Sequence, residues 1–155
     1  MDNIRTTVDL FDTGLTCSQA VLTVFGEHYG LDSRMALIVG RPLGGGMGHM
    51  GRTCGAVSAA VIVLGLAKDD SEEKEAREVT FAAVQELFRR FQEVHGTTDY
   101  KDLLGEDMST EEGIKRIREQ GLVRKVCPAF VRDAAVILQE LLTPSARCAD
   151  SRGTG

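Results

Sequence analysis

The sequence predicts an all-α protein: a compact single-domain bundle of about five to seven helices around a buried central helix at about 53–67. Three observations carry that prediction. Apolar residues recur at helical spacing through most of the chain, and no stretch alternates apolar and polar residues as a half-buried strand does. Only 5% of residues are aromatic and Trp is absent, so the core must be built from Leu, Val, Ile and Ala, which favours helices. At 155 residues the chain can bury a real core without staples and is too short for a second full domain. The domain is expected over 1–144, followed by a polar tail over 145–155 that lacks an apolar pattern.

Each element has a local reason. Ile4, Val8, Leu10 and Phe11 mark a short amphipathic helix that Asp12-Thr13-Gly14 stops. Thr16 caps a second helix, with Cys17 in its first turn and Ala20, Val21, Val24 and Phe25 on its buried face, ending at Tyr29-Gly30. Asp32 or Ser33 caps a third through Met35, Ala36, Ile38 and Val39, and Pro42 bars its continuation. Thr53 caps the central helix, with Cys54 at its first position and an apolar run from Ala56 to Leu66 that should be buried on every side. Ser71, with Glu73 and Lys74, opens a long amphipathic helix to about Val94. Its buried face is Val79, Ala82, Ala83, Leu87, Phe88 and Phe91, and Gly96 ends it. Asp99 to Leu104 reads as one turn of helix before Gly105, and Glu106 to Gln120 as a charged surface excursion with a modest helix at Ile114 to Ile117. The last helix is expected to begin around Val126-Cys127-Pro128, Pro being suited to a first helical position, and to run to Leu142 before Pro144.

Charge and patterning narrow the function classes. A net charge of -5 leaves no basic stripe for phosphate backbones, so nucleic acid is not an expected partner. No basic-then-apolar leader is seen, and the apolar run from Ala56 to Ala67 is too short to span a bilayer, so no membrane insertion is expected and the protein is placed in the cytoplasm. In that reducing compartment the four cysteines are expected to be free, catalytic or metal-bound rather than a disulfide framework. Acidic pairs such as Asp69-Asp70, Glu72-Glu73 and Glu111-Glu112 read as solvated faces. A homodimer is compatible with the sequence.

The chemistry concentrates around Gly44 to Ala59. Gly44, Gly45, Gly46, Gly48 and Gly51 crowd the approach to Cys54, and such a run implies positive φ or close approach of the backbone to something. The run matches neither the dinucleotide fingerprint nor the P-loop, since no strand precedes it and no Lys-Ser/Thr pair follows. Cys17, Cys54 and Cys127 each fall in or just before the first turn of an expected helix, where the helix dipole and open N–H groups favour a thiolate. A thiolate is both a nucleophile and a soft metal ligand. Any one cysteine taken alone is more simply a small buried hydrophobe. No C-x-x-C pair exists, so a site must be assembled by folding. His28 and His95 lie near helix ends and read as surface residues, whereas His49, inside the glycine turn, reads equally as an exposed loop histidine or as one that pairs with a thiolate or completes a metal site.

With these residues in hand, the chain resembles the C_GCAxxG_C_C family, named for four cysteines and a central Cys-Gly-Ala motif and described as redox-active. The likeness runs through Cys17-Ser18-Gln19-Ala20-Val21, the Gly44-Gly45-Gly46-Met47-Gly48 turn and Cys54-Gly55-Ala56-Val57. It resumes at Leu103-Leu104-Gly105 and closes with Cys127-Pro128 and Val131-Arg132-Asp133-Ala134-Ala135. The resemblance implies a helical domain with clustered cysteines, related to a domain that accompanies haem modules in split-Soret cytochromes. No C-x-x-C-H site is present, so covalent haem is not expected. Two departures stand out: Tyr100 where the family pattern has its third cysteine, and Ala59 where the central motif ends in Gly.

Three functions are consistent with these residues. In the first, Cys54 is a reactive thiolate with Cys17 or Cys127 as its resolving partner, serving a redox partner the sequence does not name, with Gly44, Gly45, Gly46 and Gly48 shaping the site. In the second, Cys17, Cys54 and Cys127, with His49, hold a metal ion or an iron–sulfur cluster, and Tyr100, water or a borrowed ligand are the other candidates for the open place. Cys148, in the tail, replaces the missing thiol only if the tail folds back. In the third, the site has decayed and the chain is a helical interaction module.

Overall fold

The computed structural model describes residues 2–68 and 72–144. Ser71, the Asp69-Asp70 pair, Cys148 and the rest of the tail lie outside the described residues. Within them the chain forms eight helices, one more than the upper expectation: α1 (Asn3–Asp12), α2 (Cys17–Gly26), α3 (Ser33–Gly40), α4 (Gly55–Leu66), α5 (Glu73–His95), α6 (Tyr100–Leu104), α7 (Glu111–Gln120) and α8 (Leu122–Leu142). Short 3₁₀ turns follow α2 and α3. Among the described residues there is no strand, only an isolated antiparallel bridge between Thr53 and Asp99, and no helix is long and apolar enough to cross a membrane.

The starts follow their caps. Asp2 accepts from the Arg5 N–H at α1. Thr16 and Gln19 close a reciprocal capping box at α2, and Asp32 accepts from the Met35 N–H at α3. Gly96, Gly105 and Gly121 take left-handed conformations that end α5, α6 and α7. The central helix α4 begins one residue later than the sequence suggests. Cys54 is its N-cap, while Thr53 is held in the bridge to Asp99.

Helix α4 packs against α2, α5 and α8 and carries the core. Its residues Gly55 to Ala60, with Val63 and Leu64, are buried, but Val61, Ile62 and Leu66 are half-covered and Gly65 is exposed, so it is not enclosed on every side. The same end effect corrects α5. Leu87 and Phe91 are buried and Ala83 and Phe88 half-buried, yet Ala82 is exposed and Val79 is 43% exposed. At 1.5 Å per residue the 23-residue α5 is about 35 Å long against about 18 Å for the 12-residue α4, so its first turns run past the helix that covers it.

Two further expectations are corrected. Helix α8 starts at Leu122, not near Pro128, and Pro128 lies inside it. An interior proline costs roughly 3 kcal/mol in a helix because it leaves the carbonyl four residues back without a donor. Here that carbonyl belongs to Arg124, which is exposed and open to water, while Leu122, Val123 and Val126 pack on the core and hold the first turn. The segment before α8 is more than a surface excursion: Met108 and Ile117 are buried in the core, and α7 packs on α8.

Candidate functional site

Cys17 and Cys54 stand at the starts of α2 and α4, which pack against each other. The capping box at Thr16 fixes Cys17 as the first residue of α2, and Ser18 Oγ donates to the Gly40 carbonyl at 2.7 Å while Gln19 Nε2 donates to Leu37 O at 3.0 Å. These bonds tie α2 to the end of α3. Gly55 then admits Cys17 to the head of α4. A Cβ at Gly55 would lie 2.7 Å from Cys17 Sγ and 3.0 Å from the Leu43 carbonyl oxygen, closer than side-chain carbons come. The glycine of the Cys-Gly-Ala motif is therefore the space that the Cys17 sulfur occupies.

The glycine turn brings this about. φ is positive at Gly45, Gly46, Met47, Gly48, His49 and Gly51, five of them consecutive, so the backbone winds in the left-handed sense disfavoured for L-residues. A Cβ at Gly46 would sit 2.7 Å from both the N and O of Arg52. The N–H groups of Gly48, His49, Gly51 and Arg52 donate to the carbonyls of Pro42, Gly44, Gly45 and Gly46. They are thus spent within the turn and do not form a cradle for an anion. Leaving the turn, the chain pairs with residues 98–101 through Tyr100 N–H to Arg52 O at 2.7 Å, Lys101 N–H to Gly51 O at 3.0 Å and Cys54 N–H to Thr98 O at 2.8 Å.

Cys17, Cys54 and Cys127 are all free and buried. The Cys17 thiol offers a hydrogen bond to Cys54. That interaction is the largest factor lowering the Cys54 pKa, and the Ala56 and Val57 N–H groups at the head of α4 add to it against the opposing effect of burial. Sγ of Cys54 closes no full capping hydrogen bond. The same hydrogen bond, then burial, then the charges of Cys54 and Cys127 raise the Cys17 pKa well above its ordinary value. Among the three thiols the pattern is a proton held on Cys17 and a thiolate favoured at Cys54.

Cys127 differs. The expected helix start does not exist there, so the helix-end effect is lost. Burial pushes its thiol up to about 11, and a hydrogen bond from Tyr100 partly offsets this. The Tyr100 hydroxyl, buried, lies 3.1 Å from Cys127 Sγ. Burial first, and then the neighbouring Cys127, Cys17 and Cys54, raise the Tyr100 pKa far above the usual phenol range. Tyr100 therefore enters the thiol cluster as a neutral hydrogen-bond donor.

One of the three histidines falls differently from expectation. His49 is exposed, with its ring close to Gly45, which is the loop-histidine reading of the sequence. His28 is exposed as expected. His95 is not a surface residue: its side chain is 13% exposed, bonds to Asp133 Oδ2 at 2.8 Å and packs on the rings of Phe91 and Phe130, pinning the end of α5 to α8. Asp133 lies far from His95 in sequence, so no local signal pairs them. Among the described residues no group of three or more His, Cys, Asp or Glu side chains is arranged to hold a metal ion.

Neither the curated proteins nor the solved structures contain a match to this chain. Residues 15–141, from the cap of α2 almost to the end of α8, match the family described as "Putative redox-active protein (C_GCAxxG_C_C)", and the chain belongs to that family.

Proposed function

We propose that this protein is a dithiol–disulfide redox protein in which Cys54 is the attacking thiolate and Cys17 the resolving thiol. The observation that supports this assignment is the seating of the Cys17 sulfur against Gly55, the residue next to Cys54 at the head of α4, where the surroundings raise the Cys17 thiol and lower Cys54. Thiolate character sets the rate of exchange, and an adjacent thiol lets the mixed disulfide resolve within the chain. Closing the bond removes two electrons and leaves both sulfurs buried. Cys127, raised in pKa and engaged by Tyr100, stays out of the exchange. The metal-centre alternative has no comparable support, since His49 is exposed and no group of three or more His, Cys, Asp or Glu side chains that could hold a metal is found among the described residues.

The test is thiol counting with peptide mapping of the reduced protein before and after mild oxidation. Two thiols should disappear into a Cys17–Cys54 disulfide, and Cys54→Ser should abolish the loss. Persistence of all the free thiols, or a bond that includes Cys127, would refute the assignment.

A further inference from the structure

The two segments that carry Cys54 and Tyr100 also line a hollow. About 330 Å³ of space lies between Met50, Gly51 and Arg52 on one segment and Asp99, Lys101 and Asp102 on the other, with Asp107 and Ser109 completing the wall. Arg52 lies two residues before Cys54, and Asp99 and Lys101 are the neighbours of Tyr100 in sequence. Three backbone hydrogen bonds join residues 51–54 to 98–101, the two segments that supply most of its lining.

We infer that this hollow seats the oxidant of the Cys17–Cys54 pair, and that the oxidant is a small amino-acid-type disulfide carrying both carboxylate and ammonium groups. The inference rests on the dithiol function proposed above. Its volume is at the small end of ligand sites, which run from roughly 300 to 1,000 Å³, and so suits a small molecule rather than a folded partner. Charge selects the class. Lys101 is already engaged with Asp107 at 3.4 Å, and Asp107 also accepts from the Ser109 N–H and hydroxyl. Among the described residues Arg52, Asp99 and Asp102 have no ion-pair partner. The hollow thus offers a guanidinium to a carboxylate and two carboxylates to an ammonium, the pairing an amino acid presents. A neutral disulfide gains nothing from these charges, and a purely anionic one meets the two aspartates.

Cys54 is 1% exposed and its own N–H is held in the pairing of residues 51–54 with 98–101, so the reaction requires that pairing to part. The Cys54 thiolate then attacks one sulfur of the bound disulfide, forming a mixed disulfide and releasing the first half as a thiolate. Cys17 gives its proton to that leaving thiolate and attacks the Cys54 sulfur, forming the Cys17–Cys54 bond and releasing the second half as a thiolate. One disulfide is reduced to two small-molecule thiols, one of them deprotonated, and the protein dithiol is oxidised by the same two electrons.

The test compares oxidation of the reduced protein by L-cystine and by bis(2-hydroxyethyl) disulfide, followed by mass spectrometry of the Cys17–Cys54 bond. Arg52→Gln should lower the ratio of the cystine rate to the neutral-disulfide rate about five- to tenfold, the size of one partly exposed charge-assisted contact. Asp102→Asn should lower the same ratio. Ratios that both variants leave unchanged overturn the docking inference while the dithiol function stands. Failure of both disulfides to oxidise the wild-type pair overturns the dithiol function and the inference with it.

Discussion

Gly55→Ala probes the site through a single methyl group. The added carbon would stand 2.7 Å from Cys17 Sγ, 3.0 Å from Leu43 O and 3.5 Å from Ser18 Cβ. Non-bonded atoms settle at about 3.5–4.0 Å, so the sulfur must retreat by roughly 1 Å, and the Leu43 carbonyl, being backbone, gives little room on the other side. Overpacking of this kind costs about 1–3 kcal/mol, offset by up to about 1 kcal/mol from the better helix propensity of Ala. The net expectation is a loss of about 1–2 kcal/mol, or roughly 3–6 °C in Tm for a chain of this size. Gly65→Ala is the control on the same helix: nothing lies within 4 Å of its added Cβ, so it should gain up to about 1 kcal/mol. The chemical effect is sharper. The Cys17 hydrogen bond is the largest factor holding the Cys54 pKa down, so displacing Cys17 should move the pH midpoint of iodoacetamide labelling at Cys54 upward. Urea unfolding and site-resolved alkylation read the two effects separately. If Gly55→Ala behaves like Gly65→Ala in stability and leaves the Cys54 labelling midpoint in place, the Cys17–Gly55–Cys54 packing is wrong.

Alkali should destabilise the fold through Cys127. Its folded pKa of about 11 exceeds its ordinary 9.0, so its contribution is fully present below pH 9 and is lost as pH rises through 11, a swing of about 2–3 kcal/mol. Cys127→Ala should flatten that part of the denaturation profile, and an equally steep profile in the variant would count against the assignment. Tyr100→Phe removes the donor to Cys127 and should cost about 1 kcal/mol while pushing the Cys127 labelling midpoint still higher; a midpoint that falls contradicts the hydrogen bond's direction. His49→Gly relieves a non-glycine residue at φ +65° on an exposed ring and should raise stability by up to about 1 kcal/mol, with two thiols still lost on oxidation. A lower Tm together with lost thiol oxidation would instead give the imidazole a part in the site.

What the sequence determined by itself was whatever depends on neighbours a few residues away. Thr16 with Gln19, and Asp32, mark helix starts because a cap bonds to the third residue on. The crowded glycines before Cys54 announced positive φ because few other residues tolerate it, and Met47 and His49 share that conformation only because glycines set the winding on either side. Tertiary packing decided the rest. Pro128 signalled a helix start, yet α8 continues through it because the carbonyl left without a donor belongs to an exposed residue, Arg124, and the residues before it find a core. That single extension removed Cys127 from a helix end and left it a raised pKa in place of a lowered one. Which thiol meets Cys54 was likewise invisible in a linear chain, because it depends on the space at Gly55 where α2 and α4 touch. Tyr100, which the sequence offered only through a resemblance, supplies through packing the hydroxyl that engages Cys127.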